Sequence, residues 1–229
     1  MNVNKSMAKL LVNRTDTGRE ASFDYCYNYF QSFRRAETTA KLADPANLEM
    51  SCLHLGFYLA SWGMFRGSTA LIGTSLPVFV PVIQAIAAEP AGTWTLDLKD
   101  YQENGDPIVK VYERLRKTLP KTRSGYNATE TLVTKIMLGV FGSVPAFDQY
   151  VVAGFRSYQK SVKSRAAPFG TEALSKLWDL YTDPKLQAHI DTHAMTTKTL
   201  AFGAAPGKRN YPRAKILDML LYVEGGGPT

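Results

Sequence analysis

The chain contains few cysteines and few histidines, and this shortage argues against several kinds of site. Its 229 residues include two cysteines, Cys26 and Cys52, and three histidines. The cysteines form no CxxC pair and no Cys/His cluster, so the sequence argues against a structural zinc site and against a disulfide framework. Each cysteine lies among apolar residues of a predicted helix, where a thiol behaves as a small hydrophobic group.

Long apolar runs are also absent. The N-terminal stretch MNVNKSMAKLLVNRTDTGRE has no apolar run with the length of a signal peptide. Elsewhere, glycine, proline or charged residues interrupt every apolar stretch before it reaches the length of a membrane span. We therefore expect a cytoplasmic protein with no membrane partner.

Motifs that bind nucleotides or activate a serine are missing as well. The sequence has no P-loop, no G-x-G-x-x-G and no G-x-S-x-G elbow. His189 and His193 have the i, i+4 spacing of a metal-binding pair, with Asp191 between them, but no third ligand is evident. We expect neither a metal nor a cofactor.

Basic residues are in excess. The chain has 27 Lys and Arg against 20 Asp and Glu, which gives a formal net charge of +7. Such an excess favours polyanionic partners, among which nucleic acid and anionic surfaces are the most common. The charge alone does not select one of them.

Helical periodicity dominates, and strand signals are scarce, so we predict an all-α fold. Residues 1–229 are expected to form a single globular domain of several helices, with poorly ordered ends at 1–18 and 225–229. A division into two helical lobes stays open. No internal repeat and no low-complexity linker is present.

Three stretches give specific expectations about helices. DPANLEMSCLHLGFYLASWGMFRG has apolar residues on both faces, which is typical of a helix buried all round. DPIVKVYERLRKTLP has an apolar stripe at helical spacing and basic residues outside it. PKLQAHIDTHAMTTKTLAF is predicted to be one helix, followed by a loop, GAAPGKRNYP, and a last helix.

One carboxylate lies in an apolar setting, in FGSVPAFDQYV. Pro145 fits the first turn of a helix, which would place Asp148 about one turn into that helix, near its positive end. An acid there stabilises the helix, and this structural role is the simplest explanation. The alternative is a catalytic carboxylate whose position is fixed by the turn and the helix.

Residues 131–155, TLVTKIMLGVFGSVPAFDQYVVAGF, resemble a segment of the helix-hairpin-helix DNA glycosylase superfamily, in particular its divergent bacterial 8-oxoguanine-glycosylase-like members. The shared features are a helix that carries a lysine, a short turn, and an apolar-Pro-x-x-Asp-x-x-Val pattern. The resemblance implies a helix-hairpin-helix glycosylase-like fold. It also implies that Asp148 assists departure of the base and that Lys135 corresponds to the amine nucleophile of bifunctional members.

The resemblance leaves alternatives open. The family's Leu-Pro-Gly-x-Gly hairpin is absent before Lys135, so a monofunctional enzyme using Asp148 alone and a fold relative without catalysis both remain. From the residues alone, the simplest expectation for Lys135 is a lysine whose ammonium reaches solvent. Amine chemistry would instead require that Lys135 be buried.

Basic residues in three regions are candidate nucleic-acid contacts. In WGMFRGST, Arg66 and Ser68 could contact a phosphate or a base, although a helix end also explains this stretch. Two further clusters could contact phosphates, and a solvated surface is the alternative for both. These clusters are Lys117, Lys121 and Arg123, and Lys208, Arg209 and Arg213. Lys215 and Asp218 are expected to pair across a helix surface.

The sequence therefore predicts a DNA-binding protein, with double-stranded and modified DNA as the expected partner. If the protein is an enzyme, we expect cleavage of an N-glycosidic bond, with Asp148 as the catalytic carboxylate, because a fixed carboxylate can stabilise the positive charge that develops on the sugar. A non-catalytic helical module that binds nucleic acid or protein is the alternative. A small-molecule enzyme with its pocket inside the helical core is a third hypothesis.

Overall fold

A computed structural model describes residue 11 and residues 14–67, 69–161, 168–203 and 206–228. Part of the N-terminal stretch that is expected to be poorly ordered lies outside these residues, as does Thr229. That expectation stays a prediction. Among the described residues, no helix is both long enough and apolar enough to cross a membrane.

The described chain is mostly helical. Its α-helices are α1 (Ala21–Ser32), α2 (Ala36–Thr39), α3 (Pro45–Ser61), α4 (Val80–Ala87), α5 (Tyr101–Thr118), α6 (Glu130–Phe141), α7 (Gln149–Ser161), α8 (Thr171–Tyr181), α9 (Pro184–Thr196) and α10 (Arg213–Glu224). Short 3-10 helices cover Ala40–Ala43, Leu76–Phe79, Ala91–Thr95 and Leu98–Asp100. The predicted all-α class is confirmed at this level.

A small β-hairpin corrects the prediction for one region. The helix predicted from residue 184 to Phe202 ends at Thr196, and β1 (Lys198–Leu200) follows it. β1 pairs antiparallel with β2 (Pro206–Asn210), which lies in the segment predicted to be a loop. The sequence TTKTL is rich in β-branched residues, which favour a strand over a helix.

The buried apolar residues of the described chain form one cluster. The stripe predicted on α5 faces this cluster, because Ile108, Val111, Tyr112 and Leu115 are all buried. α6 is buried from Leu132 to Phe141 and forms the central helix of the core. This position explains its nearly unbroken apolar sequence.

The expectation that α3 is buried all round was wrong. Leu55 and Leu59 are buried, but Met50, Leu53 and Phe57 are 48%, 38% and 59% exposed. These three side chains line an open groove between α3 and α1 that also includes the exposed Phe202 of the β-hairpin. Both faces of α3 are apolar, but only one of them is buried, and the other is open to solvent.

The turn between α6 and α7 is buried, which is unusual for a connecting segment. Gly142 ends α6 with φ of 68°, a left-handed conformation that favours glycine. A Cβ at this position would also collide with Pro212 and Tyr27. The turn therefore packs against two other parts of the chain, and this packing fixes the position of the residues that follow it.

Candidate functional site

A pocket lies where α3, α6 and α10 meet the start of α7. Its walls also include Arg14 and Glu20 before α1, and Pro228 after α10. The pocket is lined by two ammonium groups, one guanidinium, three carboxylates and several aromatic side chains. Lys135 and Asp148, the pair that the glycosylase resemblance singles out, both belong to this lining. Buried charges of this kind are costly unless they are paired or used.

Asp148 directly precedes α7, so the expected position one turn inside the helix was wrong. Its Oδ1 accepts hydrogen bonds from the backbone N–H groups of Tyr150 at 3.1 Å and of Val151 at 3.0 Å. This geometry is that of a helix N-cap, in which a side-chain oxygen satisfies the free N–H groups of the first turn. The second oxygen, Oδ2, takes no part in this cap.

Lys135 occupies that second oxygen. Its Nζ donates a hydrogen bond to Asp148 Oδ2 at 3.0 Å, and the two side chains are 5% and 15% exposed. The expectation that Lys135 reaches solvent was therefore wrong. Its ammonium lies inside the protein because Asp148 supplies a counter-charge there.

The buried turn before Asp148 is held by side chains of other elements. Phe147 donates its N–H to Thr134 Oγ1 at 2.8 Å, and its carbonyl accepts a hydrogen bond from Thr131 Oγ1 at 2.8 Å.

Two residues from distant parts of the chain also hold the turn. Tyr101 donates to the carbonyl of Ser143 at 2.7 Å. Ala146 donates its N–H to Asp218 Oδ1 at 2.9 Å. These contacts satisfy buried backbone groups that a turn cannot satisfy by itself, and they fix the approach to Asp148.

A second ammonium–carboxylate pair lies on α10. Lys215 Nζ donates a hydrogen bond to Asp218 Oδ2 at 2.9 Å. Lys215 is 7% exposed and Asp218 is 6% exposed, so the expected surface pair is in fact buried. Both residues line the same pocket as Lys135 and Asp148.

The indole of Trp62 contacts three cations. The Lys135 Nζ lies 5.0 Å from the centroid of the Trp62 ring, and the Lys215 Nζ lies 5.7 Å from it. The guanidinium carbon of Arg19 lies 4.7 Å from the same centroid. Because an aromatic face attracts cations, Trp62 stabilises the positive charge of these side chains.

Tyr58 completes the apolar and aromatic wall. Burial raises the pKa of Tyr58 well above its ordinary value, and the charges of Asp218 and Asp148 raise it further. The hydroxyl therefore keeps its proton at neutral pH and acts as a hydrogen-bond donor. It has no hydrogen-bond partner among the described residues.

The cavity itself is small. Its volume is about 40 Å³, whereas one water molecule needs roughly 10–15 Å³ on the same measure. The cavity as it lies in the structure therefore has room for a few water molecules or one small group. A nucleobase would require the walls to move.

The predicted nucleic-acid contacts lie elsewhere. Ser68 is outside the described residues, and the side chain of Lys208 is also outside them, although its backbone belongs to β2. None of the six other predicted contacts lines the pocket. These six are Arg66, Lys117, Lys121, Arg123, Arg209 and Arg213.

Four of these six residues are exposed, and two are partly buried. Arg66, Lys117, Lys121 and Arg123 are exposed. The Arg123 guanidinium lies beside Gly73, so the residue 121–123 cluster borders the segment that carries Arg66. Burial, and then the neighbouring Arg34, lowers the pKa of Arg209.

Arg213 already has protein partners. Its Nε donates a hydrogen bond to Asp191 Oδ1 at 2.6 Å, and its Nη1 lies 3.7 Å from Asp97 Oδ2. A phosphate would have to compete with both carboxylates for this guanidinium. Among the predicted contacts, Arg213 is therefore the least available to DNA.

The histidine pair has no metal-binding partners in the described part of the chain. The rings of His189 and His193 are 4.4 Å apart, and burial lowers the pKa of both imidazoles. Asp191, between them, accepts hydrogen bonds from Tyr181 and Arg213 instead. Among the described residues, no group of three or more His, Cys, Asp or Glu side chains could hold a metal ion.

No protein-family model, no curated protein and no solved structure matches this chain. The pocket must therefore be interpreted from its own geometry.

Sequence reasoning missed half of this pocket. Lys215 and Asp218 have the i, i+3 spacing of an ordinary surface pair, and Trp62 and Tyr58 are ordinary apolar positions of a helix. The sequence does contain a signal that this pair is buried. The stretch ILDMLLY, which directly follows Lys215 and contains Asp218, consists otherwise of large apolar residues. Lys and Asp are rarely buried unless they are paired, and the i, i+3 spacing allows this pairing.

Proposed function

We propose that this protein binds DNA and removes a modified base by cleaving its N-glycosidic bond, with Asp148 as the catalytic carboxylate. The observation that supports the proposal is the buried contact between Lys135 and Asp148 at 3.0 Å in a pocket with an aromatic wall. The glycosylase resemblance implied the same two residues before their positions were known. The segment α6, turn and α7 has the order of helix, short turn and Asp-initiated helix that the resemblance describes.

The chemistry assigns a separate task to each group. Cleavage of an N-glycosidic bond builds positive charge on the sugar, and the Asp148 carboxylate would stabilise that charge and orient water. The two backbone N–H groups on Oδ1 keep the carboxylate fixed during the reaction. Lys135 holds the second oxygen, and it is also the candidate amine that the resemblance implies.

A base can enter only if the pocket widens. Trp62 lies immediately after the last residue of α3, in a segment without an α-helix up to residue 79. Glu20, before α1, and Pro228, after α10, are further parts of the wall that do not belong to a helix. An extruded base would take the place beside Trp62, since nucleobases stack on aromatic side chains.

A non-catalytic module is the second candidate, and one observation favours it. Both oxygens of Asp148 are occupied, Oδ1 by the start of α7 and Oδ2 by Lys135. A carboxylate used in this way stabilises the fold without any chemistry. Under this hypothesis the basic clusters bind nucleic acid or protein, and the pocket is structural.

A matched pair of variants separates the two candidates. Asp183 caps α9 as Asp148 caps α7, because its Oδ1 accepts hydrogen bonds from the N–H groups of the residues two and three positions ahead. Asp183 does not line the pocket. Asp148→Asn and Asp183→Asn therefore make the same change to a helix cap, one inside the pocket and one away from it.

The experiment measures base release from duplex oligonucleotides that carry a panel of modified bases. The proposal expects release by the unchanged protein and by Asp183→Asn, and no release by Asp148→Asn in its folded form. Equal release by all three proteins would remove the catalytic role of Asp148. DNA affinity measured at two salt concentrations tests the partner separately, since phosphate contacts weaken steeply as salt rises. Absence of binding at low salt would contradict a nucleic-acid partner.

A further inference from the structure

The pocket has more hydrogen-bond donors than acceptors. An ammonium group carries three N–H donors, but Lys135 and Lys215 each use one of them on a carboxylate oxygen. The Tyr58 hydroxyl has no partner among the described residues. The Nε1 of Trp62 is buried and has no acceptor among the described residues. The same is true of the Nη1 of Arg14, which lies 3.9 Å from Asp24 Oδ2.

Two carboxylates of the pocket are already engaged, and the third, Glu20, is 38% exposed and accepts a hydrogen bond from Arg19. Asp148 accepts three hydrogen bonds and Asp218 accepts two, which hold the turn, the helix start and the lysines. Buried donors without acceptors cost free energy, and native proteins normally satisfy them with water or a ligand. An occupant of this pocket must therefore supply oxygen acceptors.

We infer that the pocket binds a small oxyanion, a carboxylate or a phosphate group, between the ammonium groups of Lys135 and Lys215. Both ammonium groups lie beside the indole of Trp62, at 5.0 and 5.7 Å from its centroid, and both belong to the lining of the cavity. The cavity volume of about 40 Å³ is on the scale of such a group. Hydrogen bonds from charged donors are the strongest available for this recognition.

This inference is independent of base excision. The oxyanion could be a free small molecule, or it could be the terminal phosphate of a nucleic-acid strand, and both present the same oxygens to the lysines. Lys135 belongs to both sites, but Lys215 and Tyr58 contribute to oxyanion binding and have no part in the proposed catalysis. Loss of oxyanion binding and loss of base release can therefore be observed separately.

Trp62 provides the measurement. Tryptophan fluorescence is followed while inorganic phosphate or formate is added at constant ionic strength, with chloride as the balancing anion. The inference expects a saturable change with phosphate or formate, and no such change in Trp62→Phe. A short single strand of DNA with a 5′-phosphate is then compared with the same strand carrying a 5′-hydroxyl. If only the phosphorylated strand competes with inorganic phosphate, the oxyanion is the terminal phosphate of a nucleic-acid strand.

The variants test the donors. Lys215→Met is expected to weaken oxyanion affinity about tenfold or more, the factor for one hydrogen bond to a charged group. Lys110→Gln removes one positive charge from an exposed site on α5 and should leave the affinity unchanged. Tyr58→Phe should weaken it several-fold, and this variant carries the test if Lys215→Met does not fold.

The inference also has a test without variants. A ligand that binds only the folded protein raises its thermal midpoint as the ligand concentration rises. Phosphate or formate should therefore raise the midpoint above that in chloride of equal ionic strength. No saturable fluorescence change together with no such rise would overturn the inference, as would an unchanged affinity in folded Lys215→Met.

Discussion

The ammonium of Lys135 lies 3.0 Å from the Asp148 carboxylate. Lys135 belongs to α6, and Asp148 lies at the far end of the buried turn that connects α6 to α7. The contact joins the middle of α6 to the start of α7 and so fixes the angle between the two helices. It also places a charged pair beside Trp62 in the interior. One interaction thus has a structural role and forms part of the candidate site, and the two roles require different experiments.

The stability of this pair can be measured with a double-mutant cycle. Lys135→Met and Asp148→Asn should each lower the free energy of unfolding by about 2 kcal/mol or more, because each leaves the other charge buried without its partner. The double variant should cost at least about 1 kcal/mol less than the sum of the two single variants. Denaturant unfolding of the four proteins provides the values. Strict additivity would mean that the two charges do not interact.

The buried turn depends on the hydroxyl of Thr134. In Thr134→Val the N–H of Phe147 loses its acceptor, which should cost about 1–3 kcal/mol. Thr192→Val is the control, since this exposed hydroxyl bonds only to a carbonyl of its own helix. The control should change the free energy of unfolding by about 0.5 kcal/mol or less. Similar losses in both variants would show that the Phe147 hydrogen bond is not important.

Close backbone packing between α7 and α10 should make Gly154 sensitive to substitution. A Cβ at Gly154 would overlap the carbonyl of Leu221, a backbone atom that cannot rotate away. Gly154→Ala should therefore cost about 3 kcal/mol or more. In Gly105→Ala on α5 the nearest atom to the new Cβ is 3.9 Å away, and this control should leave stability unchanged or raise it by up to about 1 kcal/mol. Thermal unfolding of the two variants makes the comparison, and equal effects would contradict the close contact.

Asp24 should make the stability of the protein depend on pH. Burial raises the pKa of Asp24 above its ordinary value of 3.8, so the folded protein holds this proton more tightly than the unfolded chain. The favourable contribution is complete below pH 3.8 and is lost as the pH rises through the raised pKa. Above its raised pKa the side chain carries a buried charge, and Asp24→Asn should increase the free energy of unfolding in that pH range.

The amide of Asp24→Asn can still accept the hydrogen bond from the N–H of Leu200, which now goes to Asp24 Oδ2. The gain over the unchanged protein should therefore disappear as the pH is lowered toward 3.8. Unfolding by denaturant across this pH range measures the effect. A stability difference that does not change with pH would show that Asp24 has the same pKa in the folded and unfolded states.

Much of the fold could be predicted because helical periodicity is a local property. The stripe on α5 and the Asp-Pro entry into α3 follow from neighbouring residues, and both are confirmed. The open face of α3 could not be predicted in the same way. Met50 and Phe57 have the same apolar character as Leu55 and Leu59, and only the arrangement of the other helices decides which of them are covered.

The candidate site could be predicted only where its signal lies in neighbouring residues of the sequence. Asp148 was noticeable because a carboxylate among apolar residues is locally unusual. The position of Lys135 depends on a partner 13 residues away, and Lys215 lies beside the rings of Phe23 and Trp62, which are far from it in the sequence. A single sequence does not contain these distances, so a buried lysine looks like one that reaches solvent.

The hydrogen bond from Arg19 to the hydroxyl of Tyr222 joins residues 203 positions apart. Contacts between such distant residues form late in folding, because a long loop must close before they contribute any stability. The α6 helix itself forms from neighbouring residues, whereas the pocket needs Arg14 and Glu20 beside α10. We expect a chain that has gained its helices to remain unable to bind a ligand until this last closure, so that recovery of function during refolding follows recovery of helical structure.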